Sequence, residues 1–157
     1  MSVRPARESD VETILRFIRD LAEYEKLLHE VKASADALRG HLFGARPACG
    51  ALIAEVDGRP VGFALYFETY STFETAVCLH LEDLYVAPEH RGGGHGKALL
   101  AEVARIAHAR GCPRLQWNVL DWNRPAIDFY ESIGAVLLGD WETCRLEREG
   151  IARLAGS

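Results

Sequence analysis

The stretch PEHRGGGHGKALL, residues 88–100, decides how this chain is read. It places glycine at positions 92, 93, 94 and 96, between an apolar run ending at Val86 and another beginning at Ala98. Glycine loses more backbone freedom on folding than any other residue, so four together imply that something large must approach the backbone closely. Where a strand runs through a loop into a helix, the first helical N–H groups lack internal partners and the helix dipole adds positive potential. A loop stripped of side chains lets an anion rest on those donors. Arg91 and Lys97 flank this one with positive charge. The expected guest is a phosphate or pyrophosphate.

Spacing excludes two common phosphate loops. A GxxxxGK[ST] loop needs glycine where Arg91 stands and a hydroxyl where Ala98 stands. A dinucleotide fingerprint needs GxGxxG, whereas Gly92, Gly94 and Gly96 give GxGxG in the later half of the chain.

Outward from the loop, the periodicities predict one α/β domain with a mixed sheet. A short strand is expected over 3–6, then a helix opened by a capping box from Ser9 to Glu12, with apolar residues at 11, 14, 15, 18, 21 and 22. A shorter helix starts at Ser34 and carries Leu38 and Leu42. Strands over 51–56 and 61–68 flank Asp57-Gly58, a hairpin signal. The run CLHLEDLYV, 78–86, reads as a central strand interrupted by Glu82 and Asp83. Alternation turns one of these acids toward the less solvated face, and an acid there is costly unless used or paired.

After the glycines, a helix is expected over 97–110, stopped by Gly111, then a strand over 115–120. Asn123 caps a further helix with Pro125 in its first turn and Ile127, Tyr130 and Ile133 on one face, ending at Gly134. Two last strands are expected over 136–138 and 142–146.

At 157 residues the chain suits a single domain, 1–157. A net charge of −5 with no block of like charges argues against a nucleic-acid partner, and no apolar run is long enough to suggest a membrane partner. Four widely spaced cysteines and no secretory signal point to free thiols in a cytoplasmic setting. The six histidines lack metal-ligand spacing, so no metal is expected.

Arg91-Gly-Gly-Gly-His-Gly96 resembles the R/Q-x-x-G-x-G/A acyl-CoA pyrophosphate loop of the GNAT superfamily of N-acetyltransferases. The resemblance spans nearly the whole chain, with Leu84-Tyr-Val-Ala-Pro88 before the loop and Asn123 to Gly134 after it. Through Leu21-Ala-Glu-Tyr-Glu25, Leu81-Glu-Asp-Leu-Tyr-Val86 and Asp121-Trp-Asn-Arg-Pro125 it is most similar to the spermidine/spermine (diamine) acetyltransferases. That subfamily includes enzymes acting on thialysine and other lysine-like amines. The implied fold is α/β (α+β): a mixed, mostly antiparallel central sheet, splayed between its central strands and flanked by helices.

The resemblance also implies roles. Acetyl-CoA is the cosubstrate, its pyrophosphate cradled by Arg91, Gly92, Gly93, Gly94, His95, Gly96 and Lys97. Its pantetheine arm pairs with the backbone of Leu84, Tyr85 and Val86 and is bordered by Asn123, Arg124, Pro125 and Ala126. Oriented backbone donors there stabilise a developing oxyanion. An amine with a pKa of about 10 must lose a proton before it attacks a thioester, and the departing thiolate must gain one. Tyr130 matches the family's acid, and Glu82 is the candidate base or substrate anchor, directly or through a water. Tyr24, Glu25, Glu82, Asp83, Gln116, Trp117, Asn118 and Glu142 are placed around a small-molecule amine, and a homodimer is implied. Transfer to a protein or peptide amine, and an acyl-CoA sensor without catalysis, stand as alternatives.

Overall fold

A computed structural model describes residues 1–156. They form two compact units, one from Met1 to Asn118 and one from Val119 onward. The first is built on a five-stranded sheet in the order β1-β2-β3-β4-β5. Its strands are β1 (Ser2–Pro5), β2 (Gly50–Val56), β3 (Arg59–Ser71), β4 (Ala76–Val86) and β5 (Leu115–Gln116). The first four pair antiparallel, and β5 joins β4 in parallel. The β2–β3 hairpin turns at Asp57 and Gly58, with φ of 50° and 73°, the left-handed pair a tight hairpin needs.

Helix α1 (Val11–Tyr24) lays Ile14 and Phe17 against Ile53, Phe63, Leu65 and Tyr85 of the sheet, with Leu42 of α2 (Ala35–Phe43) joining the same cluster. Phe17 stacks on Phe63 at 5.9 Å and tilts onto Tyr85 at 5.4 Å. The intervening residues Leu52, Ala54 and Ala64 point to the opposite face and are also buried. There α3 (His95–Ala109) packs on β2, β3 and β4, burying Leu99, Leu100, Val103 and Ala107. Both faces of the sheet are therefore covered.

Several local expectations are corrected. Ser9 does not cap α1; residues Glu8–Asp10 make a 3-10 turn and the helix opens at Val11. Asp10 stands at the N-cap position but makes no side-chain cap bond to the helix; its carboxylate instead accepts from the upstream Arg7 N–H at 2.7 Å and from both terminal nitrogens of Arg4 at 2.7 and 3.0 Å. Charge-assisted, bidentate bonding holds that carboxylate on Arg4. Ser34 does cap α2, accepting from the Ala37 N–H at 3.2 Å. Helix α3 opens at His95, two residues before the expected start, because left-handed Gly94 (φ 81°) turns the chain in.

The strand expected over 115–120 is only Leu115–Gln116, since β4 bulges just beyond its last partner, His80. In the second unit, α4 (Arg124–Ser132) and α5 (Arg148–Leu154) form, but the strands expected over 136–138 and 142–146 do not. That unit offers no sheet edge, and a strand without an edge cannot close its hydrogen bonds. Among the described residues, no helix is long and apolar enough to cross a membrane.

Candidate active site

The site begins with an irregularity in β4. Leu81 stands opposite Tyr66 and Asp83 opposite Leu65, leaving Glu82 as an extra residue with nothing across from it. Such a bulge bends the strand and re-aims side chains. On the other side of β4, pairing with β5 covers only Leu79 and His80. Among the described residues, the edge from Leu81 to Val86 has no strand beside it, so the sheet is open there.

The register tells which backbone groups face that opening. Val86 lies opposite Gly62, and the Ala87 N–H bonds the Val61 carbonyl at 2.8 Å. Alternation of the antiparallel ladder then turns the N–H and C=O of Val86 away from β3, toward the open edge. Leu84 and Val86 are half-buried, whereas the Tyr85 ring is buried under Phe17. Of the three residues expected to meet a pantetheine arm, Leu84 and Val86 thus turn their backbone to the open edge, while Tyr85 turns its own toward β3.

Next to this edge, the glycine loop leads into α3. Gly92 and Gly94 both sit at φ 81°, where a side chain is strained, and an added Cβ at either would meet only open space. At Gly93 a Cβ would come within 3.1 Å of the His95 Nε2. His95 is itself buried, with its Nδ1 lacking a hydrogen-bond partner among the described residues, a cost of about 1–3 kcal/mol. A bare loop, a helix start and an orphaned buried nitrogen fit the pyrophosphate of coenzyme A. Lys97 is exposed in the first turn of α3. Arg91 bends back: its Nε donates to the Val86 carbonyl at 2.9 Å and its guanidinium lies over the Tyr24 and Tyr85 rings.

Three acids gather at the other end of the same edge. Glu82 is exposed, and Asp83 is half-buried beside it. Burial, with like-charge repulsion from Glu82 and Glu25, pushes the Asp83 carboxyl up to about 7. Glu25, at the C-terminal cap of α1, is also pushed up by burial. His80, absent from the sequence-based site, approaches Glu82 with its Nε2 3.5 Å from Oε2. The signal was present in the sequence: residues two apart on a strand share a face. Gln116 closes β5 and is exposed, Trp117 is half-buried and Asn118 exposed.

The remaining expected residues lie in the second unit. Asn123 caps α4, its Oδ1 accepting from the Ala126 N–H at 3.4 Å, with Arg124 and Pro125 opening the helix. Arg124 is held by Asp128 through Nε at 2.8 Å. Tyr130 is half-buried, its ring 5.5 Å from Phe129. Glu142 is exposed in an irregular segment.

Comparison with known proteins agrees with this geometry. Residues 14–135 match the model of the Acetyltransferase (GNAT) family. The chain is 44% identical to the thialysine N-epsilon-acetyltransferase of Sus scrofa, over 98% of this chain and 96% of that one. It is 34% identical to the spermidine/spermine N(1)-acetyltransferase-like protein 1 of Homo sapiens, over 98% of this chain and 23% of that longer one. Among solved structures, an integron cassette protein from the mobile metagenome of V. cholerae superposes with a TM-score of 0.80 at 28% identity, covering 99% of this chain and 98% of that one. The open β4 edge, the glycine loop and a family match spanning most of the sequence converge: the chain belongs to the GNAT family of acetyltransferases.

Proposed function

We propose that this protein is an acetyl-CoA-dependent N-acetyltransferase that acetylates a primary amine of a small diamine, polyamine or lysine-like substrate by direct attack in a ternary complex. The observation that carries the acceptor class is the grouping of Glu25, Glu82 and Asp83 beside the open β4 edge, close enough for their charges to act on one another. Clustered carboxylates suit ammonium groups set along an aliphatic chain. The names of the relatives support the same class, one acting on thialysine and another being spermidine/spermine acetyltransferase-like.

The bound cosubstrate supplies an acetyl thioester at the β4 edge. Backbone amides from Gly92 to Lys97 hold its pyrophosphate, and the outward-facing backbone of Leu84 and the Val86 N–H align the arm beside Tyr85. Asn123 to Ala126 border that arm. Glu82 takes the amine proton, directly or through one water, while Asp83 and Glu25 anchor the acceptor's charge; a carboxyl near 7 also fits Asp83 for proton transfer at neutral pH. Tyr130 returns a proton to the leaving thiolate, and Tyr24, Gln116, Trp117, Asn118 and Glu142 complete the acceptor's surroundings. No metal is needed for this chemistry.

We read residues 1–157 as one catalytic domain, because the family match runs across both units. We also infer a homodimer. Val136, Trp141 and Leu154 of the second unit are 80%, 76% and 80% exposed, large apolar side chains that an interface between copies would cover. The four free thiols favour a cytoplasmic setting.

The deciding test is release of coenzyme A thiol from acetyl-CoA across spermidine, spermine, short diamines, thialysine, lysine, an aminoglycoside and a peptide with a free amine. Selective turnover of one aliphatic amine is expected. Preference for the peptide would make it a protein acetyltransferase, and binding of coenzyme A without any turnover would make it a sensor.

A further inference from the structure

Arg91 touches three parts of the first unit at once. Its Nε donates to the Val86 carbonyl at 2.9 Å. Its guanidinium carbon lies 5.0 Å from the Tyr24 ring centroid at the end of α1 and 5.7 Å from that of Tyr85 on β4. A planar cation seated on two rings with one N–H committed to a carbonyl is a positioned group, which a lysine cannot reproduce. The bonded carbonyl belongs to the open edge of β4. The two tyrosines adjoin the acids: Tyr24 precedes Glu25, and Tyr85 lies two residues after Asp83. Arg91 therefore bridges the glycine loop to both elements that carry the acidic group.

We propose that Arg91 is a positioning residue that couples the two substrate sites, tying the loop that holds the acyl-CoA pyrophosphate to the Tyr24–Glu25 end of α1 that faces the amine. This rests on the functional reading above. An anion settled in the loop restrains Arg91, Arg91 restrains the Tyr24 ring, and the adjacent Glu25 becomes fixed for the acceptor's ammonium. Coupling of this kind is reciprocal: the amine tightens coenzyme A binding by the same factor by which coenzyme A tightens amine binding.

The test measures coenzyme A binding by calorimetry, without and with a saturating amount of the fastest acceptor from the amine panel. Wild-type protein is expected to bind coenzyme A about threefold to tenfold more tightly with the amine present, the range one stacked cation can supply. Arg91→Lys and Tyr24→Leu should each bring that ratio to about one, the double variant should change it no further, and Tyr24→Phe, which keeps the ring, should preserve it. A ratio of one in the wild type, or an unchanged ratio in Arg91→Lys with coenzyme A merely bound more weakly, would overturn the proposal and leave Arg91 as a charge near the phosphates. A wild-type chain that turns over no amine sinks the functional reading itself, and the coupling with it, before any variant is made.

Discussion

Gly62 of β3 stands opposite Val86 of β4, so close that a Cβ at position 62 would lie 2.5 Å from the Tyr85 carbonyl oxygen. The clash is with backbone, so no rotamer change relieves it and β4 must move away from β3. Gly62→Ala should lower stability by about 1–3 kcal/mol in urea unfolding. It should also raise KM for acetyl-CoA more than KM for the amine, because Tyr85 and Val86 belong to the edge proposed above to align acyl-CoA. Gly40→Ala is the contrasting control. Its site in α2 is open, so it should stabilise by up to about 1 kcal/mol. Equal effects of the two changes would refute the close-approach argument.

Asp83 gives a pH signature. Its carboxyl holds a proton in the folded protein up to about 7, whereas an unfolded aspartate loses it near 3.9. Between those values the folded state binds more protons, so stability from this residue falls as pH rises from about 4 to about 7 and stays lost above. Asp83→Asn should therefore stabilise the protein at pH 8 by about 1–2 kcal/mol, a figure reduced because the group is only partly shielded, and change little at pH 4. Urea midpoints at both values check this. The same variant should lose amine kcat/KM, as function and stability pull against each other here.

Asp10 has the opposite sign. Paired with Arg4 and accepting from the Arg7 N–H, its carboxyl lies below the usual carboxylate range. The stability it contributes is present above about pH 4 and is lost as pH falls through the depressed value. Asp10→Ala strands Arg4 beside Glu55 alone and should cost about 2–4 kcal/mol at pH 7. The difference from wild type should shrink by pH 3, and a constant difference from pH 7 to pH 3 would contradict the pairing.

Tyr130→Phe tests the acid. Removing one hydroxyl should lower kcat roughly a hundredfold while KM for acetyl-CoA changes less than about threefold. An undiminished kcat in a folded variant would move the proton donor elsewhere. Because α4 begins at the Asn123 cap and buries Ile127, circular dichroism should confirm that the helix survives the change.

What the sequence determined by itself was local: the glycine loop between strand and helix, the Asp57-Gly58 hairpin, the Ser34 and Asn123 caps and the apolar stripes of α1 and α3. Each depends on residues a few positions apart, so spacing alone reveals it. Only the tertiary structure decided the rest. The unmatched Glu82 follows from the β3–β4 register, and the early end of β5 from the bend it causes. The start of α1 at Val11 and the tie of Asp10 to Arg4, which reaches it from β1, were not visible in the capping pattern at Ser9, and the Arg91 contacts with Tyr24 depend on two segments far apart in the chain. Such features arise from which backbone lies beside which, and a one-dimensional pattern of polarity does not encode that.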